Sequence, residues 1–162
     1  MPTVLTRQER EQVVADLENR ILRWTNQLCI SLAENYKQYH RRMIENNAAM
    51  FNADGSKAEL SRYAQQQLNE LNEGTFKGMR FTIEKGRKYY KIMQNDWDDR
   101  ANDWRSGGVH AFVDKKTGEI YKPASWKSPV KHVRYDLRVI RDREYVLDPR
   151  NCGWAGGYLY MR

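Results

Sequence analysis

The sequence predicts an α+β fold, with an N-terminal helical hairpin whose first helix is long, followed by a mostly antiparallel β-sheet. Three observations carry that expectation. Apolar residues recur at threes and fours through residues 7–48 without a Gly or Pro, which is the spacing of one helical face. Composition changes near residue 75, where short alternating runs separated by turn residues begin. Within that second part, Val109-His110-Ala111-Phe112-Val113-Asp114 alternates at period two and leads through Lys115-Lys116-Thr117-Gly118 into Glu119-Ile120-Tyr121. That is a hairpin whose Gly can take positive φ without steric cost.

In chain order, Thr6-Arg7-Gln8-Glu9 reads as a capping box that starts the first helix. Its apolar stripe includes Leu17, Ile21, Trp24, Leu28, Leu32 and Tyr36. Unbroken, such a helix is about 60 Å long at 1.5 Å per residue. A stripe of that length needs a partner, and these six residues are the expected self-association face. Asn52-Ala53-Asp54-Gly55 is a turn, and Ser56-Lys57-Ala58-Glu59 reads as a second capping box. Leu60, Tyr63, Ala64, Leu68 and Leu71 then predict a second helix of about four turns, ended by Gly74.

Met79–Glu84 and Arg87–Met93 read as paired strands around a Lys85-Gly86 turn. Asn-Asp-Trp occurs twice, at 95–97 and 102–104. Pro123 ends the strand of the central hairpin because it has no N–H to donate. Residues 136–146 fit either a short helix or a strand, and 153–161 read as a loop feeding a terminal strand. The expected division is a helical hairpin over 1–74 and a sheet region of four to six strands over 75–162, packed as one domain.

The 162 residues carry a net charge of +7, and the mean hydropathy is −0.91. The charge is unevenly placed: residues 1–75 hold 9 Lys/Arg and 10 Asp/Glu, whereas 76–162 hold 19 and 11. Such an excess points to an anionic partner for the C-terminal half, or to a solvated basic face. No apolar run approaches the roughly 20 residues that span a bilayer, and the first residues lack a signal-peptide pattern. No membrane association is therefore expected. Cys29 and Cys152 are expected to be idle buried thiols.

Asp96, Asp98, Asp99 and Asp103 lack the Gly and terminal Glu of a calcium loop and read as a solvated turn. His40, His110 and His132 have no Cys or paired His at ligand spacing. No nucleophile elbow, P-loop or dinucleotide fingerprint occurs. No metal, cofactor, catalytic residue or small-molecule substrate is expected, and the chain reads as non-enzymatic. The remaining signal is basic residues interleaved with aromatics. Arg87, Lys88, Tyr90, Lys115, Lys116, Trp126, Lys127, Lys131 and Arg134 form the candidate surface for nucleic acid or a protein partner.

The segments Gly86–Ile92, Val109–Asp114, Lys122-Pro123-Ala124-Ser125-Trp126-Lys127, Val133-Arg134-Tyr135 and Gly156-Gly157-Tyr158-Leu159-Tyr160 resemble short, uncharacterised proteins encoded by tailed bacteriophages. The resemblance covers about residues 80–162 and implies a gene product made in the host cytoplasm or carried in the virion. It implies no catalytic residues. The leading expectation is thus a phage-type interaction protein, acting in an assembly or as a small accessory protein that binds a host or phage partner. The alternative is a single-stranded nucleic-acid binder using the aromatic-basic sheet.

Overall fold

The computed structural model describes residues 4–48, 52–56 and 59–160. Helix α1 (Arg7–Ala48) runs without a break for 42 residues. The Thr6 hydroxyl accepts from the Glu9 N–H at 3.1 Å, and the Glu9 carboxylate accepts from the Thr6 N–H at 2.7 Å. This reciprocal pairing satisfies two amide donors that a helix start otherwise leaves open.

Helix α2 (Arg62–Glu73) has three turns, one fewer than expected. Ser61 caps it, accepting from the Ala64 N–H at 3.1 Å. Ser56, the cap expected from sequence, instead bonds through its N–H to Asp54 in the preceding turn, and residues 57–58 of that box lie outside the described residues. Gly74 ends α2 at φ 78°, with its N–H on the Glu70 carbonyl. The helix buries no side chain completely. It meets α1 through polar pairs, His40 to Gln67 at 2.8 Å and Arg41 to Asn72 at 2.7 Å.

The sheet is antiparallel throughout, in the order β1 (Met79–Lys85), β2 (Tyr89–Asp98), β3 (Asp103–Asp114), β4 (Glu119–Tyr121) and β5 (Tyr135–Asp136). Two register shifts between β2 and β3 leave Gly107 and His110 as extra residues on β3. Bulges of this kind bend the strand and re-aim a side chain. Here His110 turns onto the face where Phe81 lies, its ring edge-on to Phe81 at 5.1 Å.

Residues 136–146, open between helix and strand in the sequence, resolve into β5 followed by α3 (Ile140–Val146). The expected terminal strand is absent from the described residues; Gly157–Leu159 forms a 3-10 turn there instead. Gly156 precedes that turn at φ 85°, a left-handed conformation that breaks extended pairing.

One core joins the two halves of the chain. Ile21, Leu28 and Leu32 of α1, all fully buried, pack with Phe81, Ile92, Ala111, Val113 and Ile120 of the sheet. Leu137, Val146, Cys152 and Leu159 close the same cluster from the C-terminal segment. Each fully buried Leu or Ile contributes about 1.5–3 kcal/mol relative to exposure. Polar clamps fix the C-terminal segment to α1: the Ser31 hydroxyl donates to the Leu147 carbonyl at 2.6 Å, and the Asn35 amide to that of Pro149 at 2.7 Å.

This packing corrects the expected self-association face. Ile21, Leu28 and Leu32 are inside the chain's own core, and Leu17, Trp24 and Tyr36 pack partly buried against it. The stripe found its partner in the sheet, so it is not available to a second copy. Residues 4–16, by contrast, are all exposed, including Val4, Leu5, Val13 and Val14.

Candidate nucleic-acid interface

The face of the sheet away from α1 is defined by strand parity. Ile83, Tyr90, Ile92, Ala111, Val113 and Ile120 turn toward the helix, so Glu84, Tyr89, Lys91, Phe112 and Tyr121 turn outward. On this outer face Tyr89 meets Phe112 edge-on at 5.7 Å and Tyr121 at 6.0 Å. Phe112 is only 2% exposed, so it serves as the floor on which Tyr89 stands.

Cations surround these rings. A cleft of about 290 Å³ is lined by Glu84, Gly86, Arg87, Lys88, Tyr89, Lys91, Phe112 and Lys127. The Lys88 ammonium lies 5.3 Å from the Tyr89 ring centroid, and that of Lys91 lies 5.8 Å from Phe112. Both fall within cation–π range. The four positive side chains face one carboxylate, Glu84, and no Ser, Cys, His or Asp lines the cleft. Such a lining can attract an anion and stack a planar group.

The neighbouring turn adds to the positive potential. The Lys115 N–H donates to the Lys88 carbonyl at 3.1 Å, which fastens the β3–β4 turn beside the β1–β2 turn. Asp114 shapes that turn by accepting from the Lys116 and Thr117 N–H groups at 2.8 and 3.1 Å. Arg87, Lys88, Lys115 and Lys116 therefore share one end of the sheet. Lys127 arrives from a third segment, the loop between the Pro123–Pro129 bridge, with Trp126 beside it and 56% exposed.

Of the nine expected residues only Arg87, Lys88 and Lys127 line the cleft. Lys116 and Trp126 stand outside that lining, and Lys115 turns its ammonium to the inward ring of Tyr90, 5.3 Å from the centroid. The other three lie elsewhere. Tyr90 is 7% exposed and packs in the core, where burial raises its pKa; it cannot stack on a base from solution. Arg134 is tied to the Leu159 and His132 carbonyls on the far side of β4 and lines a different groove with Tyr135, Tyr145, Tyr158 and Tyr160. Lys131 is exposed in the connector and is not among the residues lining the cleft. Tyr89 and Lys91 belong to the basic-aromatic run Arg87-Lys88-Tyr89-Tyr90-Lys91 without being singled out as candidates, and Phe112 lies outside that signal. Parity could have found Tyr89: in Tyr89-Tyr90-Lys91-Ile92, the apolar Ile92 puts Tyr90 inward and its neighbour outward.

The aspartates at 98, 99 and 103 form the tip of the β2–β3 hairpin. Asp98 accepts from the Arg100 and Ala101 N–H groups, and Asp99 from the Trp97 indole. No group of three or more His, Cys, Asp or Glu among the described residues could hold a metal ion. His110 is buried and paired with Tyr158, whereas His132 is exposed. No helix among the described residues is long and apolar enough to cross a membrane.

Fold and cleft together define an α+β protein in which a helix-backed antiparallel meander carries an aromatic-basic outer face. The chain belongs to DUF7717, a family of unknown function, which it matches over residues 5–161. No curated protein and no solved structure matches it.

Proposed function

We propose that this protein is a non-enzymatic binder of single-stranded nucleic acid, held in the cleft between the β1–β2 turn and the 124–128 loop. The observation that supports this reading is convergence: Arg87, Lys88 and Lys91 of the β1–β2 hairpin and Lys127 of a distant loop line one cleft with the outward ring of Tyr89. Phosphates are neutralised by the cations while bases stack on Tyr89 and on exposed Trp126. Mobility shift and fluorescence anisotropy with a labelled oligonucleotide test it. Binding at low salt that weakens steeply as salt rises is the expected result, and absence of binding at low salt removes the reading.

A second reading has its own observation. The exposed start of α1, residues 4–16 with Val13 and Val14 facing solvent, suits a protein partner. In this reading the chain is an accessory or virion component of the phage type, working in the host cytoplasm or the particle. Co-purification of the chain with assembled particles or with a host protein supports it. Loss of that co-purification on Val13→Asp/Val14→Asp is the required outcome, and retention sinks it.

A further inference from the structure

A second cleft, of about 280 Å³, opens at the opposite end of β1, between the helices and the end of β2. Its walls bring together rings from four segments: Tyr36 and His40 of α1, Tyr63 of α2, Phe76 ahead of β1, and Trp97 of β2. Phe76 stacks on His40 at 4.9 Å and on Tyr36 at 6.4 Å. Gly78 permits that stack, because a Cβ there would come within 2.6 Å of both the Phe76 and Tyr36 rings.

Charge distinguishes this cleft from the basic one. Glu70 and Asp99 line it, and neither enters an ion pair among the described residues. Asp99 accepts from the Trp97 indole N–H at 2.8 Å and Glu70 from the Gln66 amide at 3.2 Å. The one lysine present, Lys77, places its ammonium 4.3 Å from the Trp97 ring centroid. The best cation–π surface of the cleft is thus holding a cation that the chain itself supplies.

We propose that this cleft receives an arginine or lysine side chain of a partner protein, and that Lys77 is its internal competitor for the face of Trp97. Carboxylates beside electron-rich rings favour a guanidinium or ammonium group and repel phosphate. A free amino acid brings a carboxylate that Glu70 and Asp99 oppose, whereas a side chain within a polypeptide does not. This inference is independent of the nucleic-acid reading.

The test is titration of the full chain with N-acetyl-arginine methylamide, followed through the Trp97 indole N–H resonance. Parallel arms use tetramethylammonium and adenosine monophosphate. The expected result is a saturable shift with the blocked arginine, weaker binding of tetramethylammonium, and none of the nucleotide at this resonance. Lys77→Ala, a substitution of an exposed side chain, removes the competitor and tightens binding, by about two- to fivefold for a cation–π contact at an exposed site. Glu70→Gln weakens it. No shift with blocked arginine, or unchanged or weaker binding in Lys77→Ala, overturns the proposal. Tetramethylammonium binding as tightly as blocked arginine also overturns it, by assigning the cleft to small free cations.

Discussion

The Nε2 atom of His110 and the hydroxyl of Tyr158 lie 2.8 Å apart, with their rings stacked at 5.6 Å between centroids. The pair joins a bulge in β3 to the C-terminal 3-10 turn and closes the core at that edge. Burial lowers the His110 pKa from 6.5 to about 4, so the ring is neutral at pH 7.

That depression makes stability depend on pH. Below about 6.5 the unfolded chain takes up a proton at His110 that the folded chain refuses until about pH 4. Stability should therefore fall as pH drops through this window, by about 2 kcal/mol at pH 5 from this residue. Urea unfolding at pH 7.5 and pH 5 measures it, and His110→Gln should flatten the difference. Tyr158→Phe should cost about 1–3 kcal/mol at pH 7.5, because it leaves a buried ring nitrogen without its partner.

Leu28→Ala should destabilise the fold by about 2–5 kcal/mol, since the side chain is fully buried between α1 and the sheet. The informative comparison is with oligomeric state by light scattering. A stability loss with unchanged mass confirms an intramolecular role for the stripe. Unchanged stability with a change in mass contradicts the packing described here.

Gly118 sits in the β3–β4 turn at φ 75°, where a Cβ would lie 3.2 Å from Leu137 and 3.4 Å from Ile21. Gly118→Ala combines a left-handed backbone with crowding in the core. Thermal or urea unfolding should show a loss of about 1–3 kcal/mol. Gly153→Ala, with open space around the Cβ position and an unremarkable φ, is the matched control and should change little.

For the nucleic-acid reading, Tyr89→Ala and Trp126→Ala should each weaken oligonucleotide binding by about 1–3 kcal/mol if the rings stack on bases. Lys88→Gln and Lys127→Gln should reduce the slope of log affinity against log salt by about one charge each. Tyr90→Phe should leave binding unchanged, because Tyr90 faces the core. A larger loss from Tyr90→Phe than from Tyr89→Ala contradicts the assignment of faces.

Cys29 and Cys152 are free and buried, and burial pushes both thiols up to about 12. In the native protein at pH 8 neither should react quickly with a thiol reagent, and both should titrate once urea unfolds the chain. Rapid native labelling at either position contradicts the burial.

Local chemistry was sufficient for much of this architecture. The Thr6–Glu9 box, the uninterrupted helical spacing of α1, the left-handed stop at Gly74 and the β3–β4 hairpin turning at Gly118 are all specified by residues within a few positions of one another. Capping, propensity and turn conformation act over that range, so the α+β class and these ends could be read from the sequence; the extension of β2 to Asp98 and of β3 back to Asp103 could not. The candidate site was half legible for the same reason. Arg87, Lys88, Lys115 and Lys116 belong to turns whose position is local, and Lys127 follows an exposed Trp126.

Only the tertiary structure decided what covers each face. An apolar stripe states that something must bury it; whether that is a second copy or the chain's own strands depends on contacts between segments far apart in sequence, as between α1 and β1. Gly107-Gly108 is a local mark for one of the two register shifts, but nothing local marks the one at His110 that brings its ring onto Phe81. Nor does the sequence show that Ser61 outcompetes Ser56 as the cap of α2, or that Gly156 replaces a terminal strand with a 3-10 turn. Which face of a strand or helix is covered is settled by packing energy summed over the whole core, which exceeds any single local preference.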